Sequence, residues 1–279
     1  MGAAATQTAP IVARQVRLRP HDWHILQTGT GPDVLLLHGT GASVHSWAPL
    51  IPYLDGMGRI TAIDLPGHGK TRLGARLRSS LETVTADIAT LLNAEGIRPR
   101  VIIGHSAGAA IGLRLTRHLP GPLRIIGINP ALKPFAGAAG LMFPIAARMM
   151  AITPGMVATL AWQMRMPGAV LPLLRNTGSD IPAGQMNAYA TLFRDRDHVE
   201  GTLAMLAQWK LDGLMADLAA ITAPALFLTG SNDKMVPPIT AVEAAAQMPN
   251  ARVDSIDGRG HLVHEEAPDC VAQAILSWL

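Results

Sequence analysis

The sequence is poor in charge and contains a single cysteine. Of its 279 residues, 15% are Asp, Glu, Lys or Arg, against a usual fraction of about 25%. The net charge is only +3 and no dense basic run occurs, so nucleic acid is not a predicted partner. Cys270 has no second cysteine with which to form an internal disulfide, which favours a reducing compartment.

Targeting and cofactor signals are also lacking. No basic segment with a long apolar stretch opens the sequence, so a cytoplasmic location is expected. No apolar run reaches the ~18–20 residues that cross a bilayer. The sequence shows neither zinc-type Cys/His spacing nor a complete phosphate-binding loop. We therefore predict no metal and no cofactor.

Acidic residues are missing from the middle of the chain, where none occurs between Glu95 and Asp180. A region whose charged residues are all positive suits an anionic ligand, an acidic partner or an anionic membrane surface. The alternative is that scattered arginines lie at the edges of apolar helices without a binding role. The basic residues of this interval are Arg98, Arg100, Arg114, Arg117, Arg124, Lys133, Arg148, Arg165 and Arg175.

The most informative residues present are Gly104–Gly108, which read Gly-His-Ser-Ala-Gly. An apolar run typical of a buried strand precedes them, and residues 109–115 follow with the composition of a helix. This setting predicts a nucleophile elbow with Ser106 exposed on a sharp turn. The alternative is a Gly/Ala-rich loop with an incidental serine.

Two further residues complete a predicted catalytic triad. Asp233 follows the apolar strand pattern of residues 226–230, and His261 follows that of Val253–Ile256. The chain order Ser, Asp, His is typical of α/β-hydrolases. In such a triad His261 accepts the proton of Ser106, and Asp233 holds the imidazole in the required tautomer.

An oxyanion hole is predicted beside the nucleophile. The apolar run Val34–Leu37 indicates a buried strand, and it ends in His38-Gly39-Thr40-Gly41. The backbone N–H groups of Thr40 and Ala107 are the predicted donors to the developing oxyanion. His38 is interpreted as a residue that fixes this loop, because its place in the chain does not suit the catalytic base.

Strand and helix patterns alternate along the chain, which predicts a mostly parallel wound sheet covered on both faces. Residues 11–18 and 23–27 are expected to form an antiparallel pair at one edge. Residues 59–64 and 123–128 are further predicted strands, and helices are predicted at 81–94, 239–248 and 267–279. We divide the chain into a core (1–129 and 223–279) and an inserted helical cap (130–222).

The first half of the predicted cap is apolar and rich in methionine. Methionine forms adaptable apolar surfaces, so the cap is predicted to shape a pocket for a large hydrophobic substrate or to dip into a membrane interface. Met142, Phe143 and Met149 are the predicted pocket residues. The alternative is a packed cap whose methionines only fill its interior.

Together these motifs resemble the α/β-hydrolase superfamily over nearly the whole chain. Residues 38–47, 64–69, 104–110, 129–137 and 260–266 resemble, more narrowly, the BchO family of magnesium-chelatase accessory proteins from photosynthetic bacteria. The superfamily resemblance implies an α/β-hydrolase fold with the helical cap inserted after the sixth strand. The narrower one implies a link to bacteriochlorophyll synthesis and leaves the reaction undefined.

The expected activity is serine hydrolysis of an ester or related acyl bond, in a large apolar and anionic substrate. The resemblance suggests a tetrapyrrole as that substrate and magnesium chelatase as a partner, with peripheral membrane contact through the cap. Carbon–carbon bond hydrolysis and perhydrolysis remain open, because the same triad supports them. A second class of function is a non-catalytic accessory protein that binds a porphyrin or a chelatase subunit.

Overall fold

A mostly parallel sheet organises the molecule. The computed structural model describes residues 9–75, 77–133, 146–147, 149–150, 153 and 155–279. Across the sheet the strands stand in the order β1-β2-β4-β3-β5-β6-β7-β8. The β1/β2 and β2/β4 pairs are antiparallel, and the remaining pairs are parallel. The strands are β1 (Val12–Leu18), β2 (His21–Thr28), β3 (Asp33–Leu37), β4 (Arg59–Ile63), β5 (Pro99–His105), β6 (Arg124–Ile128), β7 (Ala225–Gly230) and β8 (Ala251–Ile256).

The central strands are buried on both faces, as their unbroken apolar sequences predict. Strand β3 shows the arrangement, because all five of its residues are buried. Leu35 and Leu37 belong to the apolar cluster on one face, whereas Val34 and Leu36 belong to the cluster on the other. Successive side chains of a strand point to opposite faces, so one short strand contributes to both halves of the core.

Helices cover the two faces of the sheet. The first of them is capped by Ser80, whose hydroxyl accepts a hydrogen bond from the N–H of Thr83 at 3.3 Å. The buried side of this helix includes Leu81, Val84 and Ile88. Core helices are α1 (Leu81–Ala94), α2 (Ala107–Leu115), α8 (Ile239–Ala245), α9 (Val263–Glu266) and α10 (Pro268–Trp278). Short 3₁₀ helices lie at Val44–Trp47, Ile51–Leu54 and Leu218–Ala220.

Further helices lie between β6 and β7, so the fold prediction, with its helical insertion after the sixth strand, is confirmed. They are α3 (Met156–Gln163), α4 (Leu171–Arg175), α5 (Ala183–Phe193), α6 (Arg196–Gln208) and α7 (Asp212–Asp217). Helices α3 and α6 share an apolar cluster that contains Val157, Ala161, Val199 and Leu203. We call residues 130–222 the cap segment.

None of the helices in the described part of the chain is both long and apolar enough to cross a membrane.

The cation-rich interval is partly neutralised by acids from outside it. Arg114 is buried and forms ion pairs with Glu82 and Asp217, and Arg117 also pairs with Asp217. Lys133 pairs with Glu243. The fold thus brings carboxylates of distant sequence position to Arg114, Arg117 and Lys133, so these three cations are paired in the folded protein.

Candidate active site

Ser106 occupies a strained turn between β5 and α2. Its backbone has φ 52° and ψ −115°, a conformation that costs a non-glycine residue about 1–3 kcal/mol. The turn is held by a hydrogen bond from the Ser106 N–H to the carbonyl of Ile128 at 2.9 Å. A half-buried serine in such a backbone is typical of a nucleophile elbow.

Two glycines permit this sharp turn. A Cβ atom at Gly104 would lie 2.3 Å from the carbonyl oxygen of Gly108. A Cβ atom at Gly108 would lie 2.0 Å from the carbonyl oxygen of Leu37. Both positions therefore exclude any side chain. The Gly108 contact places the start of α2 directly against the end of β3.

Asp233 and His261 form a buried hydrogen-bonded pair. The His261 Nδ1 atom lies 2.7 Å from Asp233 Oδ2. The other carboxylate oxygen, Oδ1, accepts the backbone N–H groups of Met235 at 2.8 Å and Val236 at 2.9 Å. The Asp233 side chain has 0% exposure and that of His261 10%. The fixed carboxylate can orient the imidazole so that Nε2 is left for proton transfer.

The backbone around His261 is tied to the nucleophile strand. His105, the neighbour of Ser106, donates from Nε2 to the carbonyl of His261 at 2.9 Å. The ring of His105 lies 4.7 Å from the ring of His261, measured between centroids. These contacts place the His261 loop beside the elbow that carries Ser106.

Asn129 supports the same loop and was not predicted from the sequence. Its amide donates to the carbonyls of Gly260 at 3.0 Å and His261 at 2.8 Å, while its oxygen accepts the N–H of Gly230 at 2.8 Å. Asn129 therefore connects the ends of β6 and β7 to the loop that carries the histidine. The sequence feature that could have pointed to Asn129 is its position directly after the apolar strand β6.

The loop after β3 lies against the nucleophile. A Cβ atom at Gly39 would be 3.0 Å from the Cβ of Ser106. The carbonyl of Gly39 accepts from His38 Nδ1 at 2.8 Å and from the Ala42 N–H at 3.1 Å. Because a trans peptide directs its C=O and N–H oppositely, these bonds turn the Thr40 N–H away from them. His38 Nε2 accepts the Leu65 N–H at 2.9 Å, so both of its nitrogens serve this loop.

A buried acid joins the cap segment to the histidine loop. Glu265 accepts hydrogen bonds from Tyr189 at 2.7 Å and Gln185 at 2.8 Å, both on α5. Burial raises the pKa of Glu265 to about 8, although these two hydrogen bonds act in the opposite direction. At neutral pH the group is therefore mostly protonated, and α5 is anchored four residues beyond His261.

The predicted pocket residues fall mostly outside the described part of the chain. Met142 and Phe143 are outside the described residues, so their predicted role stays a prediction. Met149 is 56% exposed. Among the described residues, no group of three or more His, Cys, Asp or Glu side chains is placed to hold a metal ion.

Most histidines are buried around these loops, and burial is the main cause that lowers the pKa of each. Burial lowers the pKa of His38, His45 and His198 to about 4 and that of His68 and His264 to about 3. It also lowers the pKa of His21 and His105. These side chains are uncharged in the folded protein at neutral pH.

This cluster predicts loss of stability in mild acid. The unfolded chain regains the ordinary histidine pKa of about 6.5 and so binds more protons below that pH than the folded protein does. The free energy of unfolding should be undiminished above about pH 6.5 and fall as the pH drops toward 4, by ~1.4 kcal/mol per pH unit for each such histidine. The raised pKa of Glu265 has the opposite effect, because between pH 4.5 and 8 it increases the free energy of unfolding as the pH falls. This single group is outweighed by the several histidines.

Urea unfolding measured from pH 7.5 to 4.5 checks this prediction. Among the residues that the structure describes, neither nitrogen of His264 finds a hydrogen-bond partner, and its ring contacts those of Trp47 and His105. His264→Phe should reduce the pH slope by about one proton, and the matched change at the exposed His118 should not. A free energy of unfolding that stays constant from pH 6.5 to 5 would contradict the prediction.

The fold and the elbow define the class of protein, and the comparison with known families agrees. The chain belongs to the alpha/beta hydrolase family, whose model matches residues 34–274. It is 40% identical over 269 residues to the magnesium-chelatase 30 kDa subunit of Rhodobacter capsulatus, covering 96% of this chain and 94% of that one.

More distant relatives share the fold. The chain is 27% identical to a haloalkane dehalogenase of Mesorhizobium japonicum, covering 90% of this chain and 85% of the relative. An α/β hydrolase fold protein from Burkholderia ambifaria superimposes with a TM-score of 0.81 at 20% identity, over 96% of this chain and 99% of the other. The epoxide hydrolase CorEH has a TM-score of 0.78 at 18% identity, over 96% and 98%.

Proposed function

We propose that the protein is a serine hydrolase that cleaves an ester or related acyl bond. The observation that carries this proposal is the Asp233–His261 hydrogen bond of 2.7 Å, on a loop bonded to His105, the last residue of β5 and the neighbour of Ser106. A nucleophile on a strained turn, a base and a fixed carboxylate are the parts that acyl transfer requires.

The proposed reaction begins when His261 Nε2 accepts the hydroxyl proton of Ser106 as Oγ attacks the acyl carbon. The Thr40 and Ala107 N–H groups stabilise the negative charge that develops on the acyl oxygen. His261 then donates the proton to the leaving group, and an acyl-enzyme remains on Ser106. A water molecule then gives a proton to His261 and attacks the acyl carbon, the bond from that carbon to Ser106 Oγ breaks, and His261 returns the proton to Oγ as the acid leaves.

A panel of p-nitrophenyl esters of increasing acyl length tests this function. The proposal expects turnover that saturates with substrate and that improves with apolar chain length, because the cap segment is proposed to shape an apolar pocket. Turnover no faster than that of heat-unfolded protein for every ester would contradict it. The triad would also support carbon–carbon bond hydrolysis, which the ester panel does not measure.

For the substrate we propose a large apolar anion, of which a tetrapyrrole carboxylate is an example. The support is the name of the magnesium-chelatase relative at 40% identity, together with Arg165 and Arg175, which are exposed on the cap segment. Cytoplasmic bacteriochlorophyll synthesis is the proposed context. We take residues 130–222 as the cap domain and residues 1–129 and 223–279 as the core.

Protoporphyrin should bind more tightly than its dimethyl ester. Apolar burial supplies most of the affinity, at about 25 cal/mol per Å² before association costs. Exposed ion pairs add up to about 1 kcal/mol, or roughly fivefold in affinity. Fluorescence quenching at low and moderate salt measures both ligands, and the preference should shrink with salt.

Arg165→Gln should reduce the preference for protoporphyrin over its dimethyl ester. Arg100→Gln is the control, because Arg100 lies near the start of β5, at the end of that strand far from Ser106. Equal affinities for the two porphyrins at both salt concentrations would contradict the electrostatic part of the proposal. Absence of binding of either porphyrin to folded protein would contradict the tetrapyrrole proposal as a whole.

A second candidate function is that of an accessory protein associated with magnesium chelatase. The observation that favours it is again the relative named as a chelatase subunit, which this chain matches over 96% of its length. In this role the protein would bind a porphyrin or a chelatase subunit, and its triad would be idle. The reactivity of Ser106 separates the two candidates.

We also propose that the cap segment contacts an anionic membrane surface. Trp162 is 62% exposed and Met166 58%, and both lie in the interval without acidic residues. Apolar side chains with nearby arginines favour binding to anionic lipid interfaces.

Vesicle co-sedimentation measures this membrane contact. The protein should sediment with phosphatidylglycerol vesicles and much less with phosphatidylcholine vesicles. Trp162→Ala should weaken sedimentation several-fold, whereas the matched control Leu276→Ala, on α10 with 49% exposure, should not. Equal sedimentation of the Trp162 variant and the control would contradict the proposal.

A further inference from the structure

The oxyanion loop is oriented by a hydrogen-bond chain that begins in the cap segment. The Ala42 N–H, which donates to the Gly39 carbonyl, belongs to the same peptide unit as the Gly41 carbonyl. That carbonyl lies 3.2 Å from Nε2 of His198, on α6. Two peptide units of the loop, Gly41–Ala42 and Gly39–Thr40, therefore connect His198 to the Thr40 N–H through the hydrogen bond between them.

Peptide planarity makes this chain directional. A trans peptide directs its C=O and its N–H oppositely. When the Gly41 carbonyl is held by a hydrogen bond, the Ala42 N–H of the same peptide unit points toward Gly39. When the Gly39 carbonyl is held in turn, the Thr40 N–H points away from Ala42. His38 supports the second of these peptide units, but His198 is what holds the first.

The tautomer of His198 is set by its second hydrogen bond. Its Nδ1 accepts the N–H of Gly69 at 3.1 Å, so the ring proton resides on Nε2 and is donated to Gly41. The residue is 1% exposed. Burial lowers its pKa to about 4, and the ring is neutral throughout the range in which esters are assayed.

The same side of α6 is fixed to the core at further points. A Cβ atom at Gly201 would lie 2.0 Å from the carbonyl oxygen of Gly67, so α6 approaches that loop at backbone distance. Met205, seven residues after His198, accepts a hydrogen bond at Sδ from the hydroxyl of Thr40 at 3.5 Å. Residues 198, 201 and 205 recur at helical spacing, so they share one face.

We infer that His198 is a positioning residue for the oxyanion hole, through which the cap segment sets the direction of the Thr40 N–H. The inference rests on the proposed hydrolase function and adds a residue to it. Within the part of the chain that the structure describes, the hydrogen bonds and ring contacts of the His198 side chain go to Gly41, Gly69, His68 and Phe193, so we expect its effect on catalysis to pass through the Thr40 donor. The cap segment then has a part in the chemical step as well as in binding.

His198→Phe tests the inference, because phenylalanine keeps the ring contacts with Phe193 and His68 and removes both hydrogen bonds. Loss of an oxyanion donor costs ~10²–10³ in kcat, and misdirection of one should cost less, about ten- to thirtyfold. KM should stay within about twofold of wild type, because ground-state binding does not use this donor. His198→Asn, which keeps a donor and an acceptor, should recover part of the loss.

The affinity for a transition-state analogue distinguishes a positioning role from a merely structural one, because a structural residue would not change that affinity selectively. Affinity for a trifluoromethyl ketone should fall by the same factor as kcat/KM, and affinity for the carboxylate product should not change. His118→Phe, at an exposed position, is the control. If His198→Phe does not fold, His198→Ala replaces it, because it removes the same bonds without adding bulk.

Wild-type kcat in a folded His198 variant would overturn the inference, as would a lower kcat with unchanged analogue affinity. If the wild-type protein hydrolyses no ester and binds no analogue, the proposed function fails first and this inference fails with it. Activity in the wild type and equal activity in the variant would refute the role of His198 alone.

Discussion

Ser106→Ala is expected to abolish ester hydrolysis and to leave the fold unchanged. Loss of the serine nucleophile in a triad of this kind lowers kcat by about 10⁶, which brings turnover to the background rate. Alanine removes one oxygen atom, and the hydrogen bonds that hold the elbow come from backbone groups of residue 106. Steady-state hydrolysis of p-nitrophenyl esters, with thermal unfolding measured in parallel, checks both parts.

Ser277→Ala is the matched control, because Ser277 is exposed near the end of α10 and far along the chain from the elbow. This control should keep wild-type turnover. If purified Ser106→Ala protein hydrolyses esters at a rate above about a hundredth of wild type, another residue is the nucleophile.

Asp233→Asn is expected to lower kcat by about 10⁴, as in the template triad, and the structure supplies the reason. Two backbone N–H groups donate to Oδ1, so an asparagine would place its oxygen there and its NH₂ group toward His261. The imidazole would then accept at Nδ1 and carry its proton on Nε2. That tautomer does not accept the proton of Ser106.

This variant should remain folded, because asparagine has the size of aspartate and keeps the same backbone hydrogen bonds. Asp269→Asn, an exposed change in the first turn of α10, is the control and should retain full activity. Turnover of Asp233→Asn within about tenfold of wild type would show that another group orients His261.

The sequence predicts those parts of the site whose residues lie next to a strong local signal. Gly104 and Gly108 flank a serine between a strand pattern and a helix pattern, and the structure forms an elbow there. Asp233 and His261 each follow a strand pattern, and parallel strands bring such loops to one edge of a sheet. The apolar run of β3 likewise predicts a strand buried on both faces.

The supporting residues depend on contacts between distant parts of the chain. Asn129 looks like an ordinary polar residue until the strand order places it beside residue 260, and so does His198 until the packing of α6 places it beside residue 41. The basic interval between Glu95 and Asp180 also depends on contacts that the sequence does not reveal. Arg114 is neutralised by Glu82 and Asp217, which lie outside the interval, and local charge counting does not detect such pairs.

Labelling with a fluorophosphonate probe shows whether Ser106 is an activated nucleophile, because the probe reacts with an activated serine and requires no knowledge of the substrate. We expect one covalent adduct per folded chain, located on Ser106 by mass spectrometry of the peptide that carries it. The adduct should be absent after heat unfolding. A folded protein that stays unlabelled, or an adduct on another serine with Ser106 unmodified, would contradict the assignment of Ser106 as a working nucleophile.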